Sequence, residues 1–198
     1  MPIRSFAAVL AVLVVFAAAP ADAHAQASAA QAPGAQVTGA VGFDWGTTRA
    51  AIVAQRGAAS MEQPDAEGVA AMVYDDRVLG REMVAMFFVH PQMGLMRGGY
   101  MAPVENAADC GIVLRLLDNV VSRRYPRLEA QERTVGDVGS DACAAALASR
   151  GGYMKVWTDP ANHARIMLMI LPGADGPMLT YSTAEADAWE RRKNDARF

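Results

Sequence analysis

Two segments in the middle of the chain are apolar at nearly every position. Residues 82–89 read EMVAMFFV and residues 164–171 read ARIMLMIL. Successive side chains of a β-strand point to opposite faces of the sheet, so a strand with one face in water alternates apolar and polar residues. Both segments therefore predict strands that are covered on both faces. The cover is either the domain's own helices, a second protein surface, or a small apolar ligand in a groove.

The apolar residues on one side of these strands form a candidate interaction face. If another protein or a second copy of the chain provides the cover, the side chains that it contacts are Met83, Phe87, Met167 and Met169. This face is the main functional hypothesis that the pattern supports.

Shorter patterns place the two strands in two triplets. The first comprises 69–74, 82–89 and 95–101, and the second comprises 153–158, 164–171 and 178–181. Strands grouped with tight turns indicate an antiparallel arrangement, because parallel strands need a crossover between them. The predicted fold class is therefore α+β, with antiparallel sheet or sheets built from two strand triplets and helices packed on them.

Four helices separate and flank these triplets. The apolar period changes to about 3.6 over 104–125, which predicts the principal helix with Asn106 as its N-cap. A short first helix is predicted to begin at Thr47 or Asp44, and an Ala-rich helix at Ser140 or Asp141. A charged helix that contains Trp189 closes the chain.

The first residues are typical of a signal peptide. Arg4 precedes an apolar run from Phe6 to Ala19, and alternating small residues follow. The run is shorter than the roughly 20 residues that cross a bilayer, so we expect no membrane anchor. We predict a signal peptide over 1–27, a disordered leader over 28–40 and a single α+β domain over 41–198. The mature protein would be periplasmic or secreted.

The charge and the known motifs narrow the function. The formal net charge is −3, which does not favour a polyanion, and we do not expect nucleic acid as a partner. The sequence contains no H-E-x-x-H, G-x-S-x-G, Gly-rich phosphate loop or C-x-x-C motif. We therefore predict no cofactor and no metal.

Cys110 and Cys143 are the two cysteines of the chain. In an oxidising compartment an even pair is more often bonded than free, which predicts a disulfide. Alternatively, Cys110 near a helix N-terminus is an activated nucleophile. The segment 109–113, DCGIV, resembles the nucleophile helix of the NlpC/P60 cell-wall cysteine peptidases, and His163 falls near the position of their base. The resemblance implies a cysteine hydrolase of peptide or cell-wall amide bonds.

A group of methionines and a histidine offers a metal-binding alternative. Thioethers are soft ligands that suit Cu(I). Methionine that fills an irregular core is the other interpretation. The group consists of Met83, Met86, His90, Met93, Met96 and Met101.

The order of the elements carries a second resemblance. The segment GFDWGTT around Trp45, Gly46 and Thr47 precedes a strand triplet, a helix that ends in R-Y-P and a W-x-D-P turn. This layout resembles small bacterial envelope domains of the BamE/SmpA kind, which bind other envelope proteins and catalyse nothing. The resemblance implies a non-enzymatic periplasmic binding or envelope-assembly module whose partner is an envelope protein or a second copy.

Overall fold

The computed structural model describes residues 36–195, except the side chain of Asn194. The predicted signal peptide and the first part of the predicted leader lie outside the described residues. The elements are β1 Gly39–Ala40, β2 Phe43–Asp44, α1 Arg49–Arg56, β3 Met61–Pro64, β4 Ala70–Val78, β5 Arg81–His90, β6 Gly94–Met101, α2 Ala107–Arg124, β7 Ala130–Gly136, α3 Ala142–Leu147, β8 Gly151–Thr158, β9 Arg165–Ile170, β10 Met178–Ser182 and α4 Ala184–Asp195.

Eight of the strands form one antiparallel sheet in the order β3-β4-β5-β6-β10-β9-β8-β7. The sheet joins two meanders, because β3 to β6 are consecutive neighbours, β7 to β10 are consecutive neighbours, and β6 pairs with β10. The predicted α+β class with an antiparallel sheet is confirmed. The predicted triplets are four-stranded, since each meander gains one edge strand.

The two added strands, β3 and β7, are the edges of the sheet. Both are exposed along their whole length, and their sequences MEQP and AQERTVG lack the apolar alternation of the inner strands. Charged residues and proline are common on edge strands, where they discourage further pairing. These two strands were not predicted, because their sequences are polar and pairing with β4 and β8 holds them in the sheet.

The predicted N-cap residues are confirmed for α2 and α3 and not for α1. The Asn106 side chain accepts the backbone N–H of Asp109 at 3.0 Å, as predicted for the cap of α2. Asp141 caps α3 in the same way. The prediction for α1 was wrong by one residue, because Thr48 accepts the N–H of Ala51 at 3.2 Å, whereas the Thr47 hydroxyl donates to the carbonyl of Asp44.

One face of the sheet, here called the covered face, carries the main core. Helix α2 packs Val113 and Leu117 onto Leu168 and Leu179 of the sheet. Helix α1 contributes Ile52 to a second cluster that includes Phe87. The β1–β2 hairpin also packs here, and a Cβ at Gly98 would lie 2.9 Å from the Cβ of Ala40. Glycine at position 98 therefore permits the close approach of β1.

The folded part begins earlier than the sequence suggested. Val37, placed in the leader, is fully buried, and its N–H donates to the Asp159 carboxylate at 2.8 Å. Its carbonyl accepts from the Trp45 indole at 2.9 Å and from the Asn162 side chain at 3.0 Å. Residues 36–40 therefore do not belong to a disordered leader. The composition of residues 36–40 did not predict that they are ordered, because specific hydrogen bonds rather than a long apolar run hold the segment in place.

Candidate functional site

The second face of the sheet bears a broad apolar surface. Paired residues of antiparallel strands point to the same face, so the register assigns each side chain to one side. Nine apolar side chains of this second face belong to none of the hydrophobic clusters formed within residues 36–195. Eight are half-buried, and Met169 is 9% exposed. We call this surface the open face; it consists of Val73, Val84, Met86, Met101, Met154, Val156, Met167, Met169 and Met178.

Four methionines of the open face form a continuous line across the sheet. Met101 of β6 pairs with Met178 of β10, Met178 pairs with Met169 of β9, and Met169 pairs with Met154 of β8. We call these four residues the methionine row. The row contains one methionine from each of four adjacent strands, although the residues are far apart in sequence.

A second line of side chains runs beside the methionine row. Met86 lies opposite Gly99, Gly99 opposite Thr180, and Thr180 opposite Met167. The Thr180 hydroxyl is buried and has no hydrogen-bond partner among the described residues. The centre of the open face therefore contains one unsatisfied polar group within an apolar surround.

The ends of the methionine row are charged. Beyond Met101, the register continues through Val84 to Asp75 on β4. Beyond Met154 it continues to Arg133 on the edge strand β7. Asp75 and Arg133 are both exposed. The methionine row and the line beside it together form an apolar strip. This strip has a negative charge at one end and a positive charge at the other.

Helix α4 occupies one margin of this second side of the sheet. Its Ala186 and Trp189 pack with Val69, Met96 and Phe88. The helix crosses the strands, because Asp187 binds Arg165 of β9 at 2.9 Å, whereas Lys193 binds Asp65, before β4, at 2.6 Å. Helix α4 therefore borders the open face on one side.

An ion network fixes α4 to the sheet. The Arg97 guanidinium donates to both carboxylate oxygens of Glu190, at 2.6 and 2.7 Å. The buried Asp187 accepts hydrogen bonds from Arg97 at 3.4 Å and from the Ser182 hydroxyl at 3.0 Å. The hydrogen bond with Arg97 is the main cause that lowers the pKa of Glu190, while burial opposes it. Polar contacts therefore hold this helix as much as apolar ones do.

A cleft of about 350 Å³ lies between α4 and the sheet. Apolar side chains form much of its lining, including Val69, Phe88 and Trp189. Its volume is at the lower end of the range of small-molecule sites.

The predicted interaction face is divided between the two sides of the sheet. Met83 is 2% exposed and Phe87 is fully buried, and both belong to clusters of the covered face. Met167 and Met169 lie on the open face. The prediction was therefore wrong for Met83 and Phe87. Alternation cannot assign a strand to a side when both of its faces are apolar.

The disulfide between Cys110 and Cys143 is confirmed, with 5.9 Å between their Cα atoms. Both cysteines are buried, in a cluster with Ile170 at the end of β9. His163 precedes the start of β9, where its N–H donates to the carbonyl of Asp159 at 2.8 Å. The length of β9 separates the two positions by roughly 17 Å. The structure does not bring Cys110 and His163 together.

The Met/His group proposed from sequence spacing is also dispersed. Met83 lies in the core, Met86 on the open face, and Met96 under α4. His90 Nδ1 accepts the backbone N–H groups of Gln92 and Met93 at 3.2 and 3.3 Å. In the part of the chain that the structure describes, no group of three or more His, Cys, Asp or Glu side chains is arranged to hold a metal.

Comparisons with known proteins do not assign the chain to a family. No protein-family model and no curated protein matches the chain. Among solved structures, it is similar to an extracellular protein containing a SCP domain from Bacillus anthracis str. Ames, with 12% identity and a TM-score of 0.33. The similarity covers 71% of this chain and 44% of that chain, so the chain spans less than half of that protein's length. A TM-score this low does not establish a shared fold. Within residues 36–195, no helix has the length and apolarity to span a membrane.

Proposed function

We propose that the protein is a non-enzymatic binding module of the periplasm or the cell exterior that docks another protein on its open face. The observation that carries the proposal is the set of nine apolar side chains outside every cluster of the described residues. Contiguous exposed apolar surface on a soluble protein marks an interaction site more often than a chance feature. The disulfide supports an oxidising compartment.

The dimensions of the strip favour an amphipathic helix of an envelope protein as the occupant. From β4 to β7 the strip crosses six strand intervals, about 29 Å, which matches a helix of about 19 residues. Its two lines of side chains have the width of one helix, and α4 already lies beside it. A docked helix would lie next to α4 and complete the second helical layer.

Charge at the ends of the strip suggests an orientation for that helix. A helix carries partial positive charge at its N-terminus and partial negative charge at its C-terminus. Asp75 would face the N-terminus and Arg133 the C-terminus. Methionine-rich surfaces accommodate partners of varied shape because their side chains are flexible.

The test combines mass in solution with binding of an apolar fluorescent dye and a Leu/Lys model helix. We expect a monomer that binds both probes. Met178→Lys should remove binding, because it places a charge at the centre of the strip, whereas Met93→Lys, in the exposed β5–β6 turn, should not. A monomer that binds neither probe would contradict the proposal. A dimer that Met178→Lys dissociates would make a second copy the occupant.

No structural observation favours the hydrolase alternative. Its nucleophile, Cys110, is bonded to Cys143 and buried. A free-thiol titration of the non-reduced protein checks this directly. We expect no reactive thiol, and a rapidly alkylated Cys110 would revive that alternative.

A further inference from the structure

The open face is unusual in its sulfur content as well as in its apolarity. Six of the chain's twelve methionines lie on it, and four of them form the methionine row. Residues favoured in strands are β-branched or aromatic, and methionine is not among them. Flexible methionine side chains suit docking. A thioether also has a property that valine and isoleucine lack, because its sulfur coordinates soft cations.

The register places the thioethers where neighbours can share one ion. Directly opposite residues have Cβ atoms about 4.5 to 5.5 Å apart. The methionine side chain has three rotatable bonds, so sulfurs on adjacent strands can turn toward a common point. Met178 and Met169 are central, since each has a methionine of the row on both sides. Two or three sulfurs are thus available to one ion at the middle of the row.

The surroundings select the class of ion. Thioether ligands favour soft cations such as Cu(I), whereas Ca²⁺ and Mg²⁺ require oxygen ligands. Within the methionine row itself there is no carboxylate, and the nearest charged residues along the register are Asp75 and Arg133 at its ends. Met101, Met154 and Met178 are half-buried, so an ion from solvent reaches the row at their sulfurs without unfolding. Met169 is 9% exposed and joins them by turning its flexible side chain toward the same point.

We propose that the methionine row is a binding site for a soft monovalent cation, Cu(I), for which Ag(I) is a redox-inert substitute. The ligands are the sulfur atoms of Met178 and Met169, with Met101 or Met154 as a third. This site differs from the group suggested by sequence spacing, because Met83, His90 and Met93 have no place in it. The site goes beyond the proposed docking of a protein and does not depend on it.

The test is a titration of the purified protein with silver nitrate, followed by native mass spectrometry and calorimetry. Cu(I) is added anaerobically as its acetonitrile complex without thiols, which leaves the Cys110–Cys143 bond intact, and its affinity is measured by competition with a chromophoric chelator. We expect at least one bound ion per chain. The double variant Met169→Leu/Met178→Leu should bind Ag(I) at least tenfold more weakly. X-ray absorption of the Cu(I) form, recorded after acetonitrile has been removed by gel filtration, should show sulfur neighbours alone.

A matched control is Met83→Leu/Met93→Leu, which removes two methionines outside the row and should change Ag(I) affinity less than twofold. Equal losses in both double variants, an unchanged affinity after Met169→Leu/Met178→Leu, or nitrogen neighbours in the absorption spectrum would overturn the proposal. Circular dichroism verifies that each variant folds; where a double variant does not, Met178→Leu alone replaces the row variant and Met93→Leu alone replaces the control.

The same variants separate this inference from the proposed docking function. Leucine keeps the surface apolar, so the Met169→Leu/Met178→Leu protein should retain dye and model-helix binding while it loses Ag(I). Wild-type protein that binds Ag(I) but neither apolar probe would uphold the metal site and refute the docking function. Wild-type protein that binds the probes but no Ag(I) would do the reverse.

Discussion

The two faces of the sheet are built from the same strands and differ in what lies on them. On β9, Ile166 and Leu168 are buried beneath α2, whereas Met167, between them in sequence, belongs to no cluster of the described residues. The helices of the covered face bury side chains in two large apolar clusters and add ion pairs to the sheet, whereas α4 joins one small apolar cluster and is anchored by an ion network. Apolar composition alone therefore does not make a core, because a core also requires an element that covers it.

The largest expected effect comes from adjacent residues on the two sides of β9. Leu168→Ala should lower the free energy of unfolding by about 3 kcal/mol, because it leaves a cavity in the main core. Met167→Ala should lower it by about 1 kcal/mol or less, since its side chain is half-exposed. Urea unfolding measures both. Equal losses would mean that the open face is packed as tightly as the core, which would end the distinction between the faces.

An intermediate effect is expected where α4 is anchored. Arg97→Met removes the hydrogen bonds to Glu190 and one partner of the buried Asp187. We expect a loss of about 2 kcal/mol, below that of a fully unpaired buried charge, because Arg165 and Ser182 still bind Asp187.

The control for this anchor is an exposed ion pair on the other side of the sheet. Arg49→Met breaks the contact with Glu62 and should cost less than about 1 kcal/mol. Thermal unfolding measures the loss of stability in both Arg97→Met and Arg49→Met. If Arg97→Met were as mild as the control, the apolar contacts of α4 would be what holds it to the sheet.

A smaller effect of pH should distinguish α4 from the covered helices. Hydrogen bonds lower the pKa of Glu190, through Arg97, and of Asp65, through Lys193. A lowered pKa stabilises the folded state above the ordinary values of 4.5 and 3.8, and this stabilisation is lost as pH falls through the lowered values. Acidification should therefore release α4 before it loosens α2.

The indole N–H signals of the three tryptophans report this order in NMR spectra. The Trp189 indole donates to Glu67 on the α4 side, whereas Trp157 is buried in the main core. We expect the Trp189 signal to change first as pH falls below about 4. Simultaneous change of both signals would indicate that α4 and the core form one cooperative unit.

Local features of the fold were accessible from the sequence because their causes are local. The 3.6-residue period and the Asn106 side chain define α2, and an even pair of cysteines behind a predicted signal peptide favoured the disulfide. The apolar strands were likewise evident. Edge strands β3 and β7 were not, because their polar, fully exposed sequences lack the apolar pattern of the inner strands.

The site itself depended on pairing that the sequence does not encode locally. The methionine row exists because β6 and β10 are neighbours, which brings Met101 opposite Met178. Met154, Met169 and Met178 lie on consecutive strands of the second meander, but the register that aligns them was not predicted. The same lack of long-range information explains why Met83 and Phe87 were grouped with residues of the opposite side.

Oxidation of individual methionines by hydrogen peroxide, followed by peptide mass spectrometry, tests the account most directly. Reaction of methionine depends on solvent access. We predict that Met101, Met167 and Met178 approach the rate of Met93, which is 38% exposed, and exceed that of the core residue Met83 by about tenfold or more. Rates for these three residues as low as that of Met83 would show that the second face is covered, and would contradict its availability to a partner or an ion.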